Sequence, residues 1–262
     1  MRLGIIAPVA EESFRYAHEL GLDFVEFCIN RDDHGEQLYR YENEIPEWMY
    51  KYSVGIGSIG RWDVNEINPD GSINQYELSI ARELMRFCEK FHCPNYVCGC
   101  NYWNHMSRFS NYASAINFFE NVLNSAPQGV RVSVYNCRNS NFVNNEEAWS
   151  LVLGHLPALG LKYDPSHSIY AGSDYLQELM NWGDRIYHFH LKGSMAVNGV
   201  RIDDPPAGLD RTDWRTVINI LRIKGYDGGL SIEPHSHIWQ GELGDRGVRY
   251  TVKYFKELLL MD

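Results

Sequence analysis

The chain has 262 residues, with 24 Lys and Arg against 34 Asp and Glu, a formal net charge of -10. That balance excludes a nucleic-acid backbone as partner, because such binding needs a basic footprint. No apolar run approaches a membrane span, and the opening MRLGIIAP, followed by Glu11 and Glu12, is too short for a signal peptide, so a cytoplasmic protein with neither partner is expected.

Hydrophobic periodicity then predicts eight strand-then-helix units in chain order. The strands fall at 2–8, 23–29, 53–59, 95–100, 130–136, 161–165, 185–192 and 228–233. The helices fall at 11–20, 45–52, 74–92, 107–125, 145–156, 173–182, 212–224 and 246–260. Eight such units in a chain of this length predict one (β/α)8 TIM barrel spanning 1–262 as a single domain. An open doubly wound sheet fits less well, since no Gly-rich phosphate turn follows a strand. Gly21, Gly129, Gly160 and Gly228 precede strands, where a left-handed residue is expected. Thr212 or Asp213 is placed to cap the seventh helix.

In such a barrel, chemistry collects at the carboxyl ends of the strands. The longest loops there are 30–44, 60–73 and 193–211, with Trp62, Trp103 and Trp239 as candidates for a rim that stacks on a sugar face. In the seventh strand Ile186, His188, His190 and Lys192 share one face, while Tyr187, Phe189 and Leu191 share the other. Two imidazoles and an ammonium turned inward need partners. Asp164 and Glu233, near the ends of the sixth and eighth strands, can supply them.

Asp164, His190 and Glu233 are expected to converge, and that mixed donor set suits Mn²⁺, Mg²⁺, Co²⁺ or Zn²⁺. Each alone has a structural explanation: a turn-capping Asp, a hydrogen-bonded core His, a Glu paired with Lys192. Their coincidence at adjacent strand ends favours a metal site. The six cysteines, with Cys98-Gly-Cys100 spaced C-x-C, read as buried thiols rather than metal ligands. Glu26 and His235 share inward parity with the site, and Arg31, Arg61, Arg138 and Arg211 are candidate phosphate contacts.

These segments resemble the xylose-isomerase-like sugar isomerases and epimerases, related to the metal-dependent apurinic endonucleases. The resemblance spans the chain and rests on GLDFVE at 21–26, DPSH at 164–167, HFHLK at 188–192 and LSIEP at 230–234. It implies that Asp164, His190 and Glu233 bind a divalent metal, and that His167 and Lys192 touch substrate oxygens. The family's fourth ligand, a glutamate ending strand five, is Tyr135 here, and a phenol is a poor resting base at neutral pH.

The expected activity is therefore a carbohydrate isomerase or epimerase working through an enediolate. Glu233 would remove a proton, and Lys192, His167 or Tyr135 would return it. Glu26, His235, Trp62, His167 and Lys192 would contact the sugar. A dehydratase on the same scaffold and an inactive sugar-binding barrel are the alternatives, and exterior helices allow a homo-oligomer. The endonuclease reading is disfavoured by acidic charge and by the lack of histidines before His105 on strand four.

Overall fold

The computed structural model describes residues 1–261. Alternating segments form β1 (Arg2–Ile6), α1 (Glu11–Glu19), β2 (Phe24–Ile29), α2 (Glu36–Arg40), α3 (Glu44–Tyr52), β3 (Gly55–Arg61), α4 (Gln75–Lys90), β4 (Asn95–Cys98), α5 (Arg108–Ser125) and β5 (Arg131–Tyr135). They continue as α6 (Glu146–His155), β6 (Gly160–Tyr163), α7 (Pro165–Ala171), α8 (Tyr175–Trp182), β7 (Ile186–Leu191), β8 (Met195–Val197), β9 (Val200–Asp203), α9 (Trp214–Ile223), β10 (Gly229–Ile232) and α10 (Gly241–Leu259). The parallel strands close into a barrel in the order β1-β10-β7-β6-β5-β4-β3-β2. The eight predicted βα units are all present.

Outward residues of the strands, such as Phe27, Ile59, Val134, Phe189 and Leu230, are buried beneath the helices. Apolar faces of α4, α9 and α10 cover them with Leu84, Phe87, Trp214, Leu221 and Phe255. The floor of the interior is plugged by Phe24. A Cβ at Gly4 or Gly57 would lie 2.2 Å from the Phe24 ring, and one at Gly229 would lie 2.8 Å away. Three strands thus carry glycine because one phenyl ring occupies the axis.

Above the plug the inward positions turn polar. Lys162 pairs with His188 across β6 and β7, and His190 pairs with Ser231 across β7 and β10. The small inward residues Ser133 and Ser231 leave space for long side chains at neighbouring positions.

Four local expectations change. Gly21 and Gly129 have positive φ, but Gly160 and Gly228 do not. At Gly160 the requirement is space, since a Cβ would meet Tyr187 at 2.1 Å. The loop after β2 contains α2, and the segment after β7 folds into the antiparallel β8–β9 hairpin. A helix starts at once after β6, because Asp164 caps it by accepting from Ser166 N at 2.9 Å, with Pro165 in the first turn. The cap of α9 is as expected one of the two candidates, Asp213.

Candidate metal and substrate site

The end of β7 builds the centre of the site. His188 Nε2 donates to Glu26 Oε2 at 2.7 Å. His190 is held between two carboxylates: Nδ1 lies 2.6 Å from Glu233 Oε2, and Nε2 lies 2.9 Å from Glu26 Oε1. Glu26 is fully buried, so β2 supplies the group that orients both imidazoles and does not itself reach solvent. Lys192 projects its ammonium to 3.0 Å from Asp164 Oδ2 and 3.3 Å from Glu233 Oε1, and donates to His167 Nε2 at 3.3 Å.

These contacts set the charge states. Burial pushes the Glu26 carboxyl up, but His190 and His188 outweigh it and hold it well below the usual carboxylate range. Burial likewise opposes ionisation of Glu233 and Asp164, yet Lys192 (joined by His190 at Glu233 and by His167 at Asp164) keeps both carboxyls low. Burial works against the His190 proton, while Glu26 and Glu233 raise its affinity above the ordinary imidazole value. His188 is pushed down, chiefly by burial. Burial also drives His167 down to about 3, so it is a neutral acceptor at physiological pH.

A cavity of about 470 Å³ opens over this cluster, within the usual range for small-molecule sites. Trp62, His167, His190, Lys192, Glu233 and His235 line it. His235 Nδ1 is 2.9 Å from Asp204 Oδ2, which also pairs with Arg201 of β9. The hairpin therefore forms one wall.

Other candidates fall elsewhere. Tyr135 does not line the cavity: its ring stacks on Trp62 at 4.2 Å, and its hydroxyl donates to the Asn139 carbonyl at 3.4 Å. Burial raises that phenol well above its ordinary value, so it stays protonated. Trp103 donates to Ile67 O and Trp239 packs beside Pro206 and Gly247, so neither forms the cavity rim. Arg31 pairs with Asp63 and buried Arg61 with Glu77, which removes both as free phosphate contacts.

Sequence reading missed Lys162. It is inward by the same alternation that selects Asp164, and it lines the cavity. A further buried acid, Glu66, leaves both carboxylate oxygens without a partner, and burial pushes it up to about 8.

Asp164, His190 and Glu233 each offer a ligand atom within 4.8 Å of the others. Asp164 Oδ2 is buried and lacks an aligned hydrogen-bond donor. That oxygen, held by the Lys192 ammonium at 3.0 Å, stands beside an imidazole and a second carboxylate, a donor set that fits a divalent ion of the oxygen- and nitrogen-preferring class. Tyr135 contributes nothing to that set.

Residues 14–258 match the xylose isomerase-like TIM barrel family, and the chain belongs to it. Among curated proteins, the uncharacterized protein YfiH of Bacillus subtilis (strain 168) is 25% identical over 149 residues, covering 49% of this chain and 47% of that protein. The match thus spans about half of the relative's length. The barrel superposes on D-psicose 3-epimerase from Clostridium cellulolyticum H10 with a TM-score of 0.78, 14% identity and 99% coverage of both chains. The probable 3-DHS dehydratase AsbF from Bacillus anthracis gives 0.75 at 14% identity, covering 98% of this chain and 99% of that one. At such identities the likeness is one of fold. Among the described residues, no helix is long and apolar enough to cross a membrane.

Proposed function

We propose that the protein is a carbohydrate isomerase or epimerase that moves a proton at a carbon next to a carbonyl. One observation carries this reading: Glu233, a carboxylate held in its ionised form, faces a sugar-sized cavity beside Lys192 and His167. An ionised carboxylate can accept the proton, and an adjacent ammonium favours the negative oxygen that develops as it leaves. His167, neutral and accepting at Nε2 from Lys192, carries its proton on Nδ1 and is suited to donate a hydrogen bond to a substrate oxygen. Glu26 fixes His190, and His190 fixes Glu233, so the base cannot rotate away from the cavity.

Asp164, His190 and Glu233 would hold a divalent ion such as Mn²⁺, Mg²⁺, Co²⁺ or Zn²⁺. When bound, such an ion supplies Lewis-acid polarisation of hydroxyl and carbonyl oxygens. Tyr135 lies off the cavity, so an exchange between two facing glutamates has no partner at that position. A single-base transfer, in which Glu233 takes the proton from one carbon and returns it to the neighbouring carbon on the same face, suits these residues better and gives isomerisation; epimerisation needs a donor on the opposite face.

The same pair supports a second reading. Lys192 lies 3.3 Å from both Glu233 Oε1 and His167 Nε2. Glu233, once it has taken the carbon-bound proton, can pass it to a departing hydroxyl that the Lys192 ammonium hydrogen-bonds, which makes the reaction a dehydration. Product analysis in deuterated water separates the two. Solvent deuterium in an intact sugar supports isomerisation, loss of water supports dehydration, and binding of ketoses with neither result refutes both.

A further inference from the structure

Lys162 is the cation that the pairings above leave over. It stands on β6 in register with His188, is 1% exposed, and lines the cavity. Lys192 has two carboxylates within reach, whereas among the described residues Lys162 Nζ makes neither an ion pair nor a hydrogen bond. Its close contact is the face of Trp62, 5.1 Å from the ring centroid. A buried ammonium carries three donors and is costly to leave unsatisfied. Because Lys162 lines the cavity, a bound ligand is the partner within its reach.

We infer that Lys162 binds an anionic oxygen of the substrate, and that the substrate is a sugar acid, a polyhydroxy carboxylate, rather than a neutral sugar. This rests on the carbohydrate reading above and narrows it. A carboxylate needs one such cation. A phosphate dianion calls for a larger basic cluster, and Arg201, the arginine on the cavity wall, is held by Asp204. The Trp62 ring, which also lines the cavity, gives the ammonium only a cation–π contact.

A different role for Lys162, long-range balancing of Asp164 and Glu233, makes a different prediction. It would affect neutral and anionic sugars alike. Calorimetric titration of D-gluconate, D-fructose and D-fructose 6-phosphate into wild type, Lys162→Met and Lys162→Arg distinguishes them, with Lys162→Gln replacing the Met variant if thermal melts show misfolding. Wild type should bind gluconate at least about tenfold more tightly than fructose, the effect of roughly one charge-assisted hydrogen bond. Lys162→Met should lose that margin with fructose affinity unchanged, and Lys162→Arg should keep part of it. Absence of an acid preference, equal weakening of both sugars, preference for the phosphate ester, or binding of none of them overturns the inference. If deuterium enters a neutral ketose while no acid preference exists, this inference alone falls. If the Lys162-dependent preference exists without exchange or dehydration of any sugar, it stands and the isomerase reading falls.

Discussion

Lys192 places its ammonium 3.0 Å from Oδ2 of Asp164 and 3.3 Å from Oε1 of Glu233, two of the three candidate metal ligands. An ion and that ammonium would compete for the same carboxylate oxygens. The lysine therefore acts as a resident cation that a metal must displace.

Removing the competitor should strengthen metal binding. Lys192→Met leaves Asp164 and Glu233 as two buried carboxylates without their ammonium, so Mn²⁺ or Co²⁺ should bind about tenfold more tightly while the folded apo protein becomes less stable. Titration calorimetry checks it, and unchanged affinity would show that Lys192 does not occupy the ion's position.

Glu26 should matter out of proportion to its distance from solvent. Both its oxygens accept from histidines, and Glu26→Gln leaves one oxygen for two donors. The change should cost about 3 kcal/mol of stability and at least about tenfold in metal affinity. Glu26, Asp164 and Glu233 all have folded values below their ordinary ones. Their contribution is thus present above the unfolded carboxylate range and lost as pH falls through the lower folded values. Glu26→Gln should accordingly flatten the acid limb of a stability profile; an unaltered limb speaks against the buried pair.

Glu66 has the opposite sign. Its folded value, about 8, lies above the unfolded one, so the folded state holds the proton more tightly. Stability should fall by about 1.4 kcal/mol per pH unit from the unfolded carboxylate range up to pH 8, then level off. Glu66→Gln should remove that slope and raise the melting temperature at pH 8 more than at pH 5. Equal shifts at both pH values would mean that Glu66 has an ionic partner.

The Phe24 plug predicts strain. Gly57→Ala puts a methyl 2.2 Å from the ring and should lower stability by about 2 kcal/mol. Phe24→Leu in the same chain should recover part of the loss, as read by thermal melts, and simple additivity would mean the two do not touch.

The barrel was legible because its signals are local: alternation in HFHLK, apolar helix faces, an Asp-Pro turn. Period two also placed His188, His190 and Lys192 on one face, and applied to LKYD it selects Lys162 beside Asp164. What sequence could not carry depends on distant chain segments. Tyr135 is inward by parity as expected, but its stacking on Trp62 comes from a residue of another strand's loop. The glycines of three strands make sense only once Phe24 is seen between them. Likewise Glu26 was one candidate for a sugar contact, and only the fold shows both its oxygens committed to histidines.

The most direct test of the site is metal analysis of purified, metal-loaded wild type beside Asp164→Ala and His190→Ala. Wild type should hold roughly one equivalent of divalent ion, and each folded variant should lose at least about tenfold in affinity. Equal, negligible metal in all three would contradict that metal site.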